Sequence, residues 1–290
     1  MLEGAHQLTC LQDYPQLSSW REGLDADAVV GLVPTMGALH QGHERLLNTA
    51  VDECDLVIAS VFVNRLQFDN QDDYLQYPRQ FDADLELLQQ WGASAVYAPS
   101  EEDIFPEPNP SLEDPGPGGE LFEGYYRRGH FAGMLTVVRR LFERVRPHRA
   151  FFGEKDAQQL YLVKQLSAQL NNGPEIVPIA TAREQSGLAM SSRNQRLDGD
   201  QLKSAEAIFG ALSQAASLFA GGLRDSAMIE LAMEECIAAA GLRLDYAAVV
   251  DATTFLPATG TRPDSPWRAI IAAWVGDVRL IDNIELEASR

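Results

Sequence analysis

The chain has 290 residues, of which 46% are hydrophobic and 22% charged, and its formal net charge is -19 at pH 7. This composition is typical of a globular protein with a large core, near the size at which one core divides into two. The longest apolar run, residues 269–275, is too short to cross a bilayer. The chain has 42 acidic and 23 basic side chains, and this excess of negative charge would repel a phosphate backbone. We therefore expect neither a membrane nor a nucleic acid as a partner.

The beginning of the chain and its cysteines bear on location. Met1-Leu2-Glu3 carries no basic segment followed by an apolar run, so no secretory signal is visible. Cys10, Cys54 and Cys236 are an odd number and lack metal-ligand spacing. We predict a reduced cytoplasmic protein whose thiols are inert.

The first 180 residues alternate short apolar runs with segments of helical periodicity. Strands are predicted at residues 29–34, 56–64, 95–98, 150–153 and 176–181. Helices are predicted at residues 42–53, 81–91, 132–145 and 157–170. This alternation predicts an α/β fold, a Rossmann-like parallel sheet covered by helices on both faces. Such sheets bind ligands beyond the carboxyl ends of their strands.

Two later segments break this rhythm. Residues 99–120 are rich in Pro, Gly and acidic side chains and predict a solvated loop, and residues 124–130 predict a mobile flap. Beyond residue 183, helices are predicted at 200–220 and 225–240, followed by strands at 244–251, 267–275 and 278–286. We therefore predict a Rossmann-like domain over residues 1–182 and a smaller α+β C-terminal domain over residues 183–290.

The most informative segment joins the first long strand to the next helix. It reads Pro34-Thr35-Met36-Gly37-Ala38-Leu39-His40-Gln41-Gly42-His43. A strand, a tight turn and a helix N-terminus present backbone N–H groups and the positive end of a dipole to an anion. Two imidazoles there can donate hydrogen bonds to phosphate oxygens, with a helix-capping role for one of them as the alternative. His40, Asn64 and Lys155 all follow predicted strands, so we expect them at one crevice.

Four further motifs accompany this segment. They are Phe62-Val63-Asn64-x-x-Gln67-Phe68, His130-Phe131, Phe152-Gly153-Glu154-Lys155-Asp156-x-Gln158-Gln159 and Gly187-Leu188-Ala189-Met190-Ser191-Ser192-Arg193-Asn194. In this order, the set resembles the pantoate–β-alanine ligases (pantothenate synthetases), nucleotidyltransferases of the HIGH superfamily, over nearly the whole chain. The resemblance implies an ATP-dependent condensation of pantoate with β-alanine through a pantoyl-adenylate, with Mg²⁺, in a homodimer. The products would be pantothenate, AMP and pyrophosphate.

The resemblance also implies residue roles. His40, His43 and Lys155 would be catalytic at the ATP phosphates, with His43 as proton donor. Residues 1–182 would bind nucleotide and pantoate, and residues 183–290 would form a lid. The nucleotide would contact Pro34, Thr35, Met36, Gly37, Ala38, Leu39, His40, Gln41, Gly42, His43, Gly153, Glu154, Lys155, Asp156, Ala182, Met190, Ser191, Ser192 and Arg193. Pantoate and β-alanine would contact Asn64, Gln67, Arg127, His130 and Gln159.

The residue types suit this chemistry. A carboxylate is ionised at neutral pH, so its attack on the α-phosphorus of ATP needs positioning and charge stabilisation but no general base. The ammonium group of lysine is a compact positive charge and is suited to neutralising a phosphoryl group. An aspartate such as Asp156 accepts hydroxyl hydrogens from a ribose, and alternatively caps a helix. Amides such as Gln67 and Gln159 both donate and accept, as a hydroxy acid requires.

The chain departs from the family pattern at four positions. Arg65 and Arg128 stand where proline is usual, Ala182 where valine is common, and Ser186 where aspartate is usual. None of these changes removes a residue assigned to the chemistry. Three other functions stay open at this point. They are a different nucleotidyltransferase of the superfamily, a nucleotide sensor without turnover, and a metallohydrolase using His40, His43, His130 and Asp156.

Overall fold

The computed structural model describes residues 8–259 and 266–288. The chain forms two compact units. The first unit contains the described residues up to Gly116 together with Arg127–Glu154 and Leu162–Ile179. The second unit contains Pro117–Tyr126, Lys155–Tyr161 and the described residues from Ala180 onward. The predicted division after residue 182 stays a prediction.

The first unit is built on a six-stranded parallel sheet in the order β1-β4-β3-β2-β5-β6. Its strands are β1 (Thr9–Leu11), β2 (Val30–Thr35), β3 (Leu56–Val61), β4 (Ala95–Tyr97), β5 (Arg149–Gly153) and β6 (Glu175–Ile179). The predicted parallel α/β architecture is thereby confirmed. Since β3, β2 and β5 are neighbours and parallel, the segments that follow them leave the sheet at the same edge.

Helices α1 to α8 accompany these strands along the chain. They are α1 (Tyr14–Glu22), α2 (Gln41–Glu53), α3 (Gln71–Gln76), α4 (Phe81–Gln90), α5 (Glu101–Ile104), α6 (Glu123–Tyr126), α7 (His130–Val145) and α8 (Ala157–Gln169). Part of the core of the first unit combines β-branched and aromatic strand residues with leucines of α2 and α4, among them Val33, Leu47, Leu88, Val96 and Phe151. Burial of this apolar surface is the main favourable contribution to folding.

The second unit has helices α9 (Gly199–Ala220) and α10 (Ser226–Ala239) and an antiparallel sheet, β7-β8-β9. The strands are β7 (Arg243–Asp251), β8 (Trp267–Val275) and β9 (Val278–Leu286). The two helices and one face of this sheet enclose a core that includes Leu212, Ile229, Met233, Val249 and Ile271. The predicted α+β character of this part of the chain is confirmed.

The loop predicted at residues 99–120 is more ordered than its composition indicates. It contains α5, and Ile104 and Phe105 are buried. Three arginines of α7 pair with its carboxylates, in the pairs Arg139–Glu113 (3.0 Å), Arg140–Glu107 (3.1 Å) and Arg144–Asp103 (2.8 Å). Its acidic residues therefore anchor the loop to α7. Across the described ranges, no helix is both long and apolar enough to cross a membrane.

Candidate active site

The turn after β2 is shaped by a buried carboxylate. Gly37 (φ 79°) and Ala38 (φ 51°) both have left-handed backbone conformations. Asp84 of α4, which is 2% exposed, accepts the N–H groups of Ala38 and Leu39 at 3.0 and 2.8 Å. The hydroxyl of Thr35 accepts the N–H of Gly37 at 3.1 Å. A Cβ at Gly37 would lie 2.7 Å from Oδ2 of Asp84, so this turn requires glycine.

The two histidines that follow cap α2 reciprocally. His40 is the N-cap residue, and its Nδ1 accepts the N–H of Gly42 at 3.1 Å. Nδ1 of His43 accepts the N–H of His40 at 3.2 Å, and the two ring centroids are 4.2 Å apart. A Cβ at Gly42 would lie 2.7 Å from Cε1 of His40, so the glycine makes room for the ring. The spacing of the motif thus has a local structural cause.

These caps also fix the tautomer of both rings. A neutral imidazole that accepts a hydrogen bond on Nδ1 carries its proton on Nε2. His40 and His43 are both half-buried and therefore each present an Nε2–H donor at a helix N-terminus. The capping role and a phosphate-binding role use different ring nitrogens, so each histidine is able to perform both.

A second group of polar residues surrounds Asn64, which caps the one-turn 3-10 helix Arg65–Gln67 after β3. Nδ2 of Asn64 donates to Oε1 of Gln67 (3.1 Å) and to the carbonyl of Gly133 in α7 (3.0 Å). A Cβ at Gly133 would lie 2.0 Å from the carbonyl oxygen of Leu66, so glycine allows α7 to approach this turn. Nε2 of Gln67 donates to the sulfur of Met36 at 3.3 Å. This contact joins the Asn64 group to the turn after β2.

His130 belongs to the same group and is 5% exposed. Its Nδ1 donates to the carbonyl of Gln67 at 2.7 Å, since that carbonyl is only an acceptor. Nε2 is then the acceptor of the neutral ring and lies 3.1 Å from Nη1 of Arg127. His130 thus holds both the main chain at Gln67 and the guanidinium of Arg127.

Lys155 and Asp156 lie just beyond β5, in the 3-10 helix Glu154–Asp156, and belong to the second unit. Nζ of Lys155 is 3.7 Å from Oδ1 of Asp156, with side-chain exposures of 20% and 47%. The carbonyl of Lys155 accepts a hydrogen bond from Nδ2 of Asn283 at 2.9 Å. Gln158 is buried and donates to two carbonyls of residues 117–126, whereas Gln159 is half-buried. Gln158 therefore has a structural role.

The segment predicted to close on the phosphates follows a short hairpin of the second unit. The carbonyl of Ala182 accepts the N–H of Met190 at 2.8 Å, and Arg183 pairs with Ala189. Both oxygens of Asp282 accept hydrogen bonds from the guanidinium of Arg183, at 2.6 and 3.1 Å. Met190, Ser191, Ser192 and Arg193 are half-buried. The hairpin fixes where this motif begins.

The structure thus gathers the predicted residues into two groups. In the first unit, residues 34–43, Asn64, Gln67, Arg127 and His130 are connected through Met36 and Gln67, while Gly153 ends β5 and Glu154 begins the 3-10 helix that follows. In the second unit, Asn283 of β9 binds the carbonyl of Lys155, and Asp282 of β9 binds Arg183 at the base of the hairpin that ends at Met190. Sequence reasoning missed Asp84, Asp282 and Asn283. The available signal for Asp84 was an acid on the apolar stripe of α4, which includes Leu88.

The departures from the family pattern have ordinary surroundings. Nε of Arg65 pairs with Glu101 at 3.2 Å, and Arg128 is exposed. The Ser186 hydroxyl accepts the N–H of Leu188 at 3.4 Å. Within residues 8–259 and 266–288, no three His, Cys, Asp or Glu side chains are grouped as metal ligands. This arrangement does not favour the metallohydrolase alternative.

Comparison with known proteins agrees with these motifs. The model of the family described as "Pantoate-beta-alanine ligase" matches residues 9–285. A pantothenate synthetase of Rubrobacter xylanophilus is 49% identical over 267 residues, which are 89% of this chain and 91% of that protein. One of Nocardia farcinica is 45% identical over 288 residues, or 98% of this chain and 88% of that protein.

Solved structures show the same similarity. The crystal structure of pantothenate synthetase from Thermus thermophilus superposes with a TM-score of 0.88 at 40% identity, covering 96% of this chain and 99% of that one. A pantoate–β-alanine ligase from Francisella tularensis, complexed with β,γ-ATP and β-alanine, gives a TM-score of 0.81 at 34% identity over 98% of this chain and 99% of that one. The chain therefore belongs to the pantoate–β-alanine ligase family.

Proposed function

We propose that this chain carries out the reaction of its family in two steps, through a pantoyl-adenylate. The overall reaction is the ATP-dependent condensation of pantoate with β-alanine to pantothenate, AMP and pyrophosphate. The observation that supports a phosphate-binding site is the pair of capping histidines, whose Nδ1 atoms accept backbone N–H groups at the start of α2, so that each neutral ring carries its proton on Nε2. Donors fixed in this way stabilise negative charge without reorganisation.

In the first step, a carboxylate oxygen of pantoate attacks the α-phosphorus of ATP. The bond from that phosphorus to the bridging oxygen breaks, and pyrophosphate leaves with the electron pair. We assign His40, His43 and Lys155 to the phosphates, because the leaving and equatorial oxygens gain charge as this bond breaks. The positive end of the α2 helix dipole supports the same charge.

In the second step, the amine of β-alanine attacks the acyl carbon of the adenylate, loses a proton and expels AMP. We assign pantoate and β-alanine to Asn64, Gln67, Arg127, His130 and Gln159. The hydrogen bonds to Gln67 support this assignment, because Asn64 holds its side-chain amide and His130 holds its main-chain carbonyl.

The remaining nucleotide contacts follow from the resemblance. Asp156 would accept the ribose hydroxyls, with Gly153 and Glu154 beside it, and Ala182 and Met190 would meet the adenine. Ser191, Ser192 and Arg193 would close on the phosphates as residues 183–290 move as a lid over the Rossmann-like domain. The hairpin that ends at Met190 supports this role, because its backbone hydrogen bond to Ala182 fixes the position at which the Ser191-Ser192-Arg193 motif begins.

Mg²⁺ fits this site as part of the substrate. Magnesium is commonly held by nucleotide phosphates with one or two carboxylates and several waters, so a dedicated protein cage is not required. We propose that the ion enters with ATP, and we assign no step to it. We also propose a homodimer and a cytoplasmic location, which rest on the resemblance and on the amino-acid composition.

Isotope exchange tests this function. Labelled pyrophosphate should enter ATP when pantoate and Mg²⁺ are present, and β-alanine should not be needed, because the adenylate forms before the amine is used. A nucleotide sensor would bind ATP without exchange under any of these conditions. Exchange that appears only after β-alanine is added would contradict the two-step scheme.

A further inference from the structure

Two consecutive polar residues are buried in β9. Asp282 and Asn283 are each 4% exposed, and their neighbours Leu280, Ile281 and Ile284 are apolar. Successive side chains of a strand point to opposite faces, so the pair reaches two different places. Burying polar groups is unfavourable unless they are hydrogen-bonded, so the partners of these two side chains indicate what they do.

Asn283 holds the main chain at the proposed catalytic lysine. Its Nδ2 donates to the carbonyl of Lys155 at 2.9 Å. Its Oδ1 accepts a hydrogen bond from the guanidinium of Arg268, which fixes the orientation of the amide. Both ends of the side chain are therefore engaged, and the lysine backbone is attached to β9, an edge strand of the β7-β8-β9 sheet.

Asp282 holds the base of the hairpin that leads to the Ser-Ser-Arg motif. Its carboxylate receives both terminal nitrogens of the Arg183 guanidinium, at 2.6 and 3.1 Å. Arg183 in turn donates to the carbonyl of Gly187 at 3.0 Å, across the hairpin. The backbone N–H of Asn283 donates to Oδ1 of Asp282 at 2.8 Å. The two residues thus form one connected network.

A contribution to the free energy of folding does not by itself explain why a carboxylate is buried at position 282. Desolvation by burial raises the pKa of Asp282 above its ordinary value, although the Arg183 guanidinium opposes the shift. A buried ion pair is often no more stabilising than well-packed apolar side chains of the same volume. Its directional hydrogen bonds, in contrast, fix where the hairpin begins.

We infer that Asn283 and Asp282 are positioning residues for adenylation, Asn283 acting through the main chain of Lys155 and Asp282 through Arg183 on the Ser191-Ser192-Arg193 motif. The inference rests on the function proposed above. The ammonium of lysine is carried on a flexible four-carbon stem. Fixing its main chain restricts the volume that the charge samples, and a misplacement of about 1 Å in an active site is able to cost roughly 10²-fold in rate.

Asn283→Asp tests the first half of the inference. The new carboxylate keeps the size of the side chain and still accepts from Arg268, but it has no donor for the Lys155 carbonyl. We expect the rate of pyrophosphate exchange to fall about 10- to 100-fold. The attack of β-alanine on supplied pantoyl-adenylate should stay within about twofold, because no pyrophosphate leaves in that step. Asp282→Asn tests the second half and should give the same split between the steps.

Glu285→Gln is the matched control on the same strand and face. Glu285 pairs with Arg268 at 3.2 Å and has no assigned role in the reaction, so this variant should keep the wild-type rates. A wild-type protein without pantoate-dependent exchange would refute the proposed function itself. Normal wild-type exchange with equal loss in both steps in Asn283→Asp, or with no loss at all, would refute only the positioning role.

Discussion

Each histidine at the start of α2 has one ring nitrogen engaged by the backbone. The sequence left two interpretations of His40 and His43 open, a helix cap and a phosphate contact. The structure confirms the cap, and the phosphate contact stays a proposal. Because the cap uses Nδ1 in both rings, it fixes the direction of Nε2 without using Nε2 for a capping hydrogen bond. The local motif therefore supplies both the shape of the turn and the donors.

His43→Ala should lower the rate of adenylation by roughly 10²- to 10⁴-fold, the usual contribution of a positioned proton donor. ATP binding should change less, because the phosphate oxygens gain charge only as the bond breaks. Rapid-quench measurement of each half-reaction checks this. The second half-reaction, started from supplied pantoyl-adenylate, should be nearly normal. Equal damage to both would show that His43 shapes the pocket and does not assist the leaving group.

Gly42→Ala should impair the reaction although it removes no side chain assigned to the chemistry. Its Cβ would lie 2.7 Å from Cε1 and 2.9 Å from Nδ1 of His40, so the ring has to move. We expect a loss of roughly 10²-fold in adenylation, as for a misplaced catalytic group. Gly210→Ala in α9 is the control, since its Cβ would come no nearer than 4.0 Å to Cys236. If both variants kept full activity, the ring of His40 would need no fixed position.

At the scale of elements, local patterns predicted the long helices and strands well. The predicted strands at 267–275 and 278–286 match the observed bounds of β8 and β9, and the helix predicted at 157–170 is observed at Ala157–Gln169. β1 was missed because a three-residue edge strand has too few residues for a period. The strand predicted at residues 56–64 is too long, because β3 ends at Val61 and the chain then forms the 3-10 helix Arg65–Gln67.

Contacts distant in sequence were not predictable in the same way. β9 binds three segments of the second unit that come from earlier parts of the chain. Arg279 pairs with Glu123 at 2.7 Å, Asn283 binds the Lys155 carbonyl, and Asp282 binds Arg183. No local pattern in β9 reveals these partners, because each is about 100 or more residues away. Asp84 and its partners in the turn after β2 are 45 and 46 residues apart, which is also beyond the range of a local pattern.

Glu230 connects helix α10 to strand β7, and its charge is expected to affect the stability of the fold. It lies on α10, and its Oε1 accepts the N–H of Val249 in β7 at 2.8 Å. Desolvation raises the pKa of Glu230, with added repulsion from Glu234 and Asp225, although the Val249 hydrogen bond opposes the shift. A raised pKa in the folded state favours folding at low pH, and this contribution is lost as pH rises through that pKa.

Glu230→Gln should therefore raise the melting temperature by a few degrees near neutral pH, since it keeps the acceptor and removes the charge. The difference should shrink as pH falls through the raised pKa of Glu230, because the glutamate of the wild type then becomes protonated. Thermal melts across this range measure it. A variant that is less stable at neutral pH would mean that the charged form contributes to the fold.

The net charge of -19 describes the whole molecule and does not describe its candidate site. Several arginines pair with carboxylates, among them Arg139, Arg144, Arg183 and Arg279. The proposal that Lys155 faces the phosphates depended on the motif Phe152-Gly153-Glu154-Lys155-Asp156, because composition assigns no position. Fold class and family were predictable from the sequence, whereas the hydrogen bond from Asn283 to the Lys155 carbonyl was not.

The most direct test of a pantoyl-adenylate follows an oxygen atom. Pantoate labelled with ¹⁸O in both carboxylate oxygens is incubated with ATP, Mg²⁺, β-alanine and the enzyme, and the AMP is analysed by mass spectrometry. If the carboxylate attacks the α-phosphorus, each AMP formed carries one ¹⁸O, and the other label remains in the amide carbonyl of pantothenate. AMP without label, or ¹⁸O recovered in pyrophosphate, would contradict the account.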